Sequence, residues 1–376
     1  MNEPSLAAPD LSRRPAAIFE PLDFAALPGW RADDLAAAFG AFLISAQAVV
    51  AQAPKTRAVG VPGEAIAGVA RRALDGGVLS AEAARAFFES EFRPFLVRTA
   101  GGSGFFTGYY EPEVNGSRVR TNRFTVPIYR RPDDLVDVDA RSPPPGLSAG
   151  TSFARQTERG LAPYPDRRAI ECGALAGRGL ELVWLDNPVD VFFIHIQGSA
   201  RVRLADGALI RLAYAAKSGH PYTPIGRVLR ERGALAAGAV TMASIRRWLA
   251  EHPDEAPEVM WTNRSFIFFR ETPDGDPDNG PVGAAGVSLT AGRSLAVDRL
   301  LYTFHSPVFV DTSLPNGRAF RRLMFAQDTG SAIVGPGRGD IFFGSGGAAG
   351  EVAGAMQAEG RFVLLAPRGF EPGAGP

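Results

Sequence analysis

The sequence predicts a mainly β protein with an N-terminal helical segment, its strands grouped into two β units. Three observations predict it. From residue 94 the chain breaks into short runs rich in aromatic and β-branched residues, the composition of strands. Its 43 Gly and 30 Pro are many for a helical bundle and fit frequent turns. Residues 32–93, by contrast, are alanine-rich and apolar at helical intervals.

Taken in order, three helices come first. "ADDLAAAFGAFLISAQAVVAQA" opens the series, "GEAIAGVARRALDGG" ends on paired glycines suited to a C-cap, and Ser80 caps "SAEAARAFFESEF". The first β region comprises "GFFTGYYEPEV", "TVPIYRR", "LELVWL", "DVFFIHIQGSARVRL" and "ALIRLAYAAKSG", with Asp206-Gly207 as a hairpin turn between the last two. Residues 141–150 and 273–283 read as loops, and Thr241 caps a helix over "TMASIRRWLAEH". The second β region comprises "SFIFFRE", "RSLAVDR", "PVFVDTS", "RLMFAQD", "DIFFG" and "RFVLLAP", with one helix, "GGAAGEVAGAMQAEG", before the last strand. Helices, a β region, one helix and a second β region suggest two β domains with the helices packed on one of them.

The 376 residues are enough for two cores. Forty Lys plus Arg balance 40 Asp plus Glu, which argues against a nucleic-acid or anionic-membrane binder. Cys172 is the single cysteine, so no internal disulfide forms. His195, His220, His252 and His305 show no metal-ligand spacing, so neither a metal nor another cofactor is expected. No run of about 18 apolar residues predicts a membrane span. The first residues, "MNEPSLAAPDLSRRPAAIFEPLDF", are polar and proline-broken, and read without the apolar core of a signal peptide or a lipid-attachment cysteine.

The chemistry concentrates in "RRLMFAQDTGSAIVGPGRGDIFFG", residues 321–344. Asp328 leads an Asp-Thr-Gly, and Asp340 begins a second apolar run. A pepsin-like site needs two such loops facing each other; the nearest second candidate, Asp311 in "VFVDTS", lacks the glycine of the tight loop. Either acid can simply hydrogen-bond its own turn. Asp340, however, precedes "IFFG", and apolar neighbours and a like charge both disfavour ionisation, which is what a general acid needs. Two carboxylates suffice for glycoside hydrolysis. One suffices if it protonates the glycosidic oxygen and then deprotonates a hydroxyl of the same sugar.

Five blocks, "FTGYYEPEV" (106–114), "PIYRRP" (127–132), "FFIHIQGSARVRLADG" (192–207), "YAAKSGHPYTPIGR" (214–227) and the 321–344 segment, resemble in order the membrane-bound lytic murein transglycosylase A family, the last block its three-aspartate domain. The resemblance implies a double-psi β-barrel domain over 31–110 plus 259–376, a smaller inserted β-barrel domain over 111–258, and a flexible N-terminus over 1–30. It implies a glycan groove between the domains and cleavage of the N-acetylmuramic acid–N-acetylglucosamine bond of peptidoglycan, leaving a 1,6-anhydromuramoyl end. It implies a periplasmic enzyme at the outer membrane, acting on glycan strands, with cell-wall synthesis or division proteins as further partners. The family's three acids fall on Asp298, Asp328 and Asp340, with Asp340 catalytic and Asp328 positioning it or raising its pKa. A two-aspartate hydrolase and a non-catalytic peptidoglycan-binding protein are the alternatives.

Candidate glycan contacts follow from chemistry and position. Thr107, Tyr109 and Tyr110 lie on an aromatic strand that Gly108 and Pro112 leave open. Gln197, before Gly198 and Ser199, offers an amide at a strand end, and Lys217 a cation for lactyl or peptide carboxylates. His195, between Ile194 and Ile196, reads as structural. Arg338 beside Asp340 is a difficulty, because pairing with it lowers the Asp340 pKa; the acid role requires Arg338 to point elsewhere.

Overall fold

The computed structural model describes residues 18–371 apart from 100–101, 140–141, 143, 149, 237 and 273–278. Residues 1–17 of the expected flexible N-terminus lie outside the described residues, as do parts of the expected loops at 141–150 and 273–283. Among the described residues one unit holds 18–110 and 279–371, and the other holds 111–272.

In the first unit an eight-stranded sheet runs Ile18–Pro21, Phe92–Arg98, Gln357–Pro367, Pro307–Ser313, Ala319–Asp328, Ser294–Ala296, Arg338–Ser345, Gly104–Glu111. The last strand pairs back onto Gln357–Gly360, so six of the strands form a closed ring. Closure removes the open edges. It also explains the continuous apolar runs read in these strands, because both faces are buried. Val308 and Val310 face one core with Phe106, Leu295, Met324 and Ile341. Their neighbour Phe309 faces another, with Leu323, Phe325 and Val363 against Phe39, Phe42 and Phe88 of the helices.

Those helices are Leu35–Ala51, Gly63–Gly76 and Ala81–Glu91. Asp34 and Ser80 cap the first and third through the N–H groups of Ala37 and Ala83, and Gly77, at φ 63°, ends the second. Asp33 fastens the entry of the first helix to the ring: its two oxygens each lie 2.8 Å from the buried Arg293 guanidinium, and it accepts from Leu323 N–H.

Residues 18–30 correct the expectation of flexibility. Ile18–Pro21 pairs antiparallel with Phe92–Arg98, and Trp30 is buried with its indole N–H on Glu89.

The inserted unit has a six-stranded sheet in the order Ile267–Thr272, Leu209–Lys217, Ser199–Leu204, Glu113–Ser117, Glu181–Leu185, Val126–Tyr129. A bridge between Arg130 and Phe269 joins its two edges. Residues 259–272, expected with the other domain, belong here. Ile267–Thr272 pairs with Leu209–Lys217, and Val259 and Met260 pack with Phe192, Trp248 and Leu249.

A third correction concerns "DVFFIHIQ", which is not strand. Pro188–Gln197 is a helix, capped by Asn187 on Val189 N–H, started by Pro188 and stopped by Gly198 at φ 80°. The Asn-Pro start and Gly stop were helix punctuation in the sequence. The aromatic and β-branched composition reads as strand because the helix is buried over Val191–His195; the His195 ring lies 4.4 Å from that of Phe266.

Candidate active site

The first unit's short Ser294–Ala296 strand sets the site. Ala296 pairs with Asp328 on one side and with Asp340 on the other. Paired residues share a sheet face, so the two acids emerge together, two strand spacings or roughly 10 Å apart at the backbone. Leu295 and its partner Ile341 point the opposite way, into the core.

The adjoining Gly104–Glu111 strand brings the partners. Alternation turns Phe106 into the core and leaves Phe105, Thr107 and Tyr109 on the other face. Between Thr107 and Tyr109 the backbone passes close to the Phe343 ring; a Cβ on Gly108 would sit 2.6 Å from it.

Asp328 is a well-held carboxylate. Oδ2 accepts from the Tyr109 phenol at 2.9 Å, and Oδ1 accepts from the N–H groups of Ala284 at 3.0 Å and Thr329 at 2.9 Å. Burial raises its pKa above the ordinary value; these three bonds oppose the rise and the like charge of Asp340 adds to it. The Tyr109 phenol is pushed well above its usual value by burial and by the Asp328 and Asp340 charges, so it stays a donor.

Asp340 is half-buried, and its Oδ1 accepts from the Thr107 hydroxyl. Its pKa is raised, chiefly by burial; the Arg338 charge and the Thr107 bond oppose the rise. Desolvation leads, and the repulsion between the two acids belongs to the pair.

Arg338 does not form an ion pair with Asp340 within 4.0 Å among the described residues. Its guanidinium donates to Thr107 Oγ1 at 2.6 Å and to the carbonyls of Phe105 and Gly339, and lies 5.5 Å from the centre of the Phe105 ring.

Asp298 is held by backbone donors. It is buried, with Oδ1 accepting from Leu300 N–H and Oδ2 from Gly335 N–H, so it ties its own turn to the glycine-rich 329–337 loop. Tyr110 is buried against Gly350. Gln197, Ser199 and Lys217 belong to the inserted unit, at the end of a helix, the start of a strand and the end of a strand. Among the described residues no three of His, Cys, Asp and Glu gather to hold a metal ion.

A family model described as the MltA specific insert domain matches residues 105–270, and one described as the 3D domain matches 293–366. The membrane-bound lytic murein transglycosylase A of Escherichia coli (strain K12) is 32% identical over 284 residues, 73% of this chain and 68% of that protein. The chain belongs to the membrane-bound lytic murein transglycosylase A family. The crystal structure of a membrane-bound lytic murein transglycosylase from Agrobacterium tumefaciens is similar at TM-score 0.86 and 44% identity, over 93% of this chain and 98% of that one. The structure of E. coli MltA with bound chitohexaose is similar at TM-score 0.64 and 26% identity, over 94% of this chain and 93% of that one. The matched 3D domain spans the Ser294–Ala296, Ala319–Asp328 and Arg338–Ser345 strands, which carry both half-buried acids. The insert-domain match begins on Phe105 and takes in Thr107 and Tyr109.

Two features of the site escaped the sequence. Ala284 N–H, a backbone donor, has no side-chain signal at all. Thr107 reads as a surface contact on an aromatic strand, and nothing local ties it to an acid 233 positions later.

Proposed function

We propose that this chain is a lytic transglycosylase that cleaves the β-1,4 bond between N-acetylmuramic acid and N-acetylglucosamine in peptidoglycan, with Asp340 as acid and then base. The observation that carries the assignment is a half-buried carboxyl with a raised pKa, bonded to a hydroxyl and not paired with the guanidinium beside it. Such a group holds its proton to higher pH than an ordinary aspartate does.

Asp340 gives its proton to the glycosidic oxygen as the bond from the muramoyl C1 breaks. That oxygen departs with the bonding pair as the 4-hydroxyl of N-acetylglucosamine. The Asp340 carboxylate then takes the proton of the C6 hydroxyl on the same muramoyl residue, whose oxygen bonds to C1. The 1,6-anhydro ring closes, no water is consumed, and the carboxyl regains its proton.

Asp328 is assigned a supporting role, as a fixed negative charge beside the reacting sugar. The hydrolase alternative makes Asp328 the base that activates water. A carboxylate offers about four acceptor sites, and three on Asp328 are taken, which favours the supporting role. Asp298 is assigned the structural task of holding the glycine-rich loop. Thr107 acts through Asp340, while Tyr110, Gln197, Ser199 and Lys217 are kept as candidate glycan contacts.

The six-stranded ring is proposed to be the family's double-psi β-barrel and the inserted unit its smaller β-barrel. The same reading places the enzyme in the periplasm at the outer membrane, among cell-wall synthesis or division proteins. Mass spectrometry of purified sacculi digested by the enzyme tests the reaction: anhydromuramoyl ends are expected, and reducing muramic acid ends would establish the hydrolase instead.

A further inference from the structure

We propose that Arg338 is a positioning residue that, through Thr107, fixes which oxygen of Asp340 carries the acid proton. The inference rests on the assignment of Asp340 as the acid. A guanidinium has only donors, so Thr107 Oγ1 must accept the 2.6 Å bond from Arg338. A threonine hydroxyl has one proton. With its acceptor side engaged by Arg338, that proton is directed to Asp340 Oδ1. Oδ1 is then an acceptor whether Asp340 is ionised or not, and the neutral acid carries its proton on Oδ2. Arg338 is itself held for the task by the carbonyls of Phe105 and Gly339 and by the Phe105 ring. The other ionisable groups near Asp340 do not compete for this proton. Tyr109 donates to Asp328, Asp328 accepts three bonds, Asp298 is bonded to Leu300 and Gly335, and Glu351 on the adjoining helix is exposed.

Without Arg338, the Thr107 hydroxyl is free to turn and accept a proton from Oδ1, and the acid loses its single orientation. Arg338 thus raises the proportion of molecules protonated on the productive oxygen without forming an ion pair with the carboxylate.

The test is a double-mutant cycle on the Asp340 pKa, read by carboxyl-carbon NMR titration, with the pH profile of kcat/KM read alongside. R338M and T107V are each expected to raise the Asp340 pKa, by on the order of one unit, while R338K and T107S stay near the parent. If Arg338 acts through Thr107 in addition to its charge, R338M shifts the pKa less in the T107V background than in the parent. An equal shift in both backgrounds means that Arg338 acts by charge alone, and the proposal fails. Circular dichroism of each variant separates misfolding from the effect sought. The titration is independent of turnover: a D340N enzyme that still digests sacculi overturns the assignment of the acid, while the titration alone judges the Arg338–Thr107 chain.

Discussion

The Tyr109 phenol donates a 2.9 Å hydrogen bond to Asp328 Oδ2, and its ring rests on Phe342 with centroids 5.3 Å apart. The bond takes one of three donors on that carboxylate, while the ring contact belongs to packing. Y109F keeps the second and removes the first. A hydrogen bond to a charged group contributes about 1.5–3 kcal/mol, so kcat is expected to fall roughly tenfold to a hundredfold with KM little changed. Parental kcat in Y109F would detach Tyr109 from the reaction.

Activity should depend on pH through the neutral form of Asp340. Its pKa is raised by burial, so the active form persists above the ordinary carboxylate range and is lost as pH rises through the shifted value. The expected profile is a plateau on the acid side and a decline on the alkaline side. A single-turnover rate that climbs with pH through the carboxylate range would contradict the assignment.

Acid stability has a different owner. His305 is buried with φ 68°, its Nδ1 3.0 Å from Ser45 Oγ, and Ser45 also takes the Gln327 side-chain amide at 2.8 Å. Burial lowers the His305 pKa from 6.5 to about 4. Because the folded value is the lower one, the unfolded chain binds the proton first. The folded state therefore loses stability as pH falls from 6.5 toward 4, by about 3 kcal/mol in all. Asparagine tolerates positive φ. H305N should flatten the dependence of Tm on pH across this window, and an unchanged slope would assign the loss to other groups.

The inserted unit holds a buried ion cluster. Glu111, fully buried, lies 2.9 Å from Arg201 Nε and 3.0 Å from Arg211 Nε. E111A removes the carboxylate between two buried cations and is expected to lower stability by about 3–5 kcal/mol, read by urea unfolding. Replacing all three with apolar residues of similar volume should recover most of it, since the desolvation penalty disappears with the charges. Failure of the triple variant to recover would show that the cluster contributes net stability.

Much of this was legible in the sequence because the signals were local. Strands such as "PVFVDTS" and "RFVLLAP" announce themselves by composition, and Ser80 and Thr241 sit where caps are needed and make cap bonds. The two acids were legible as candidates because each adjoins a strand with both faces buried. What was not legible depends on distant partners. Ile267–Thr272 falls to the inserted unit through pairing with Leu209–Lys217, and burial of Val191–His195 hides the helical period of "DVFFIHIQ" behind a strand-like composition. Arg338 reads as an obstacle two residues from the acid. Its route to Thr107 exists only because the Gly104–Glu111 strand lies beside Arg338–Ser345 in the ring.

The most direct test of the account compares the parental enzyme with D340N on purified sacculi, with each variant's fold checked and anhydromuramoyl products counted by mass spectrometry. Asparagine keeps the shape of the side chain and cannot lend a proton at neutral pH. The account predicts a fall in product release of roughly a hundredfold to ten-thousandfold, with glycan binding retained. Release of anhydromuramoyl ends by D340N at the parental rate would contradict it.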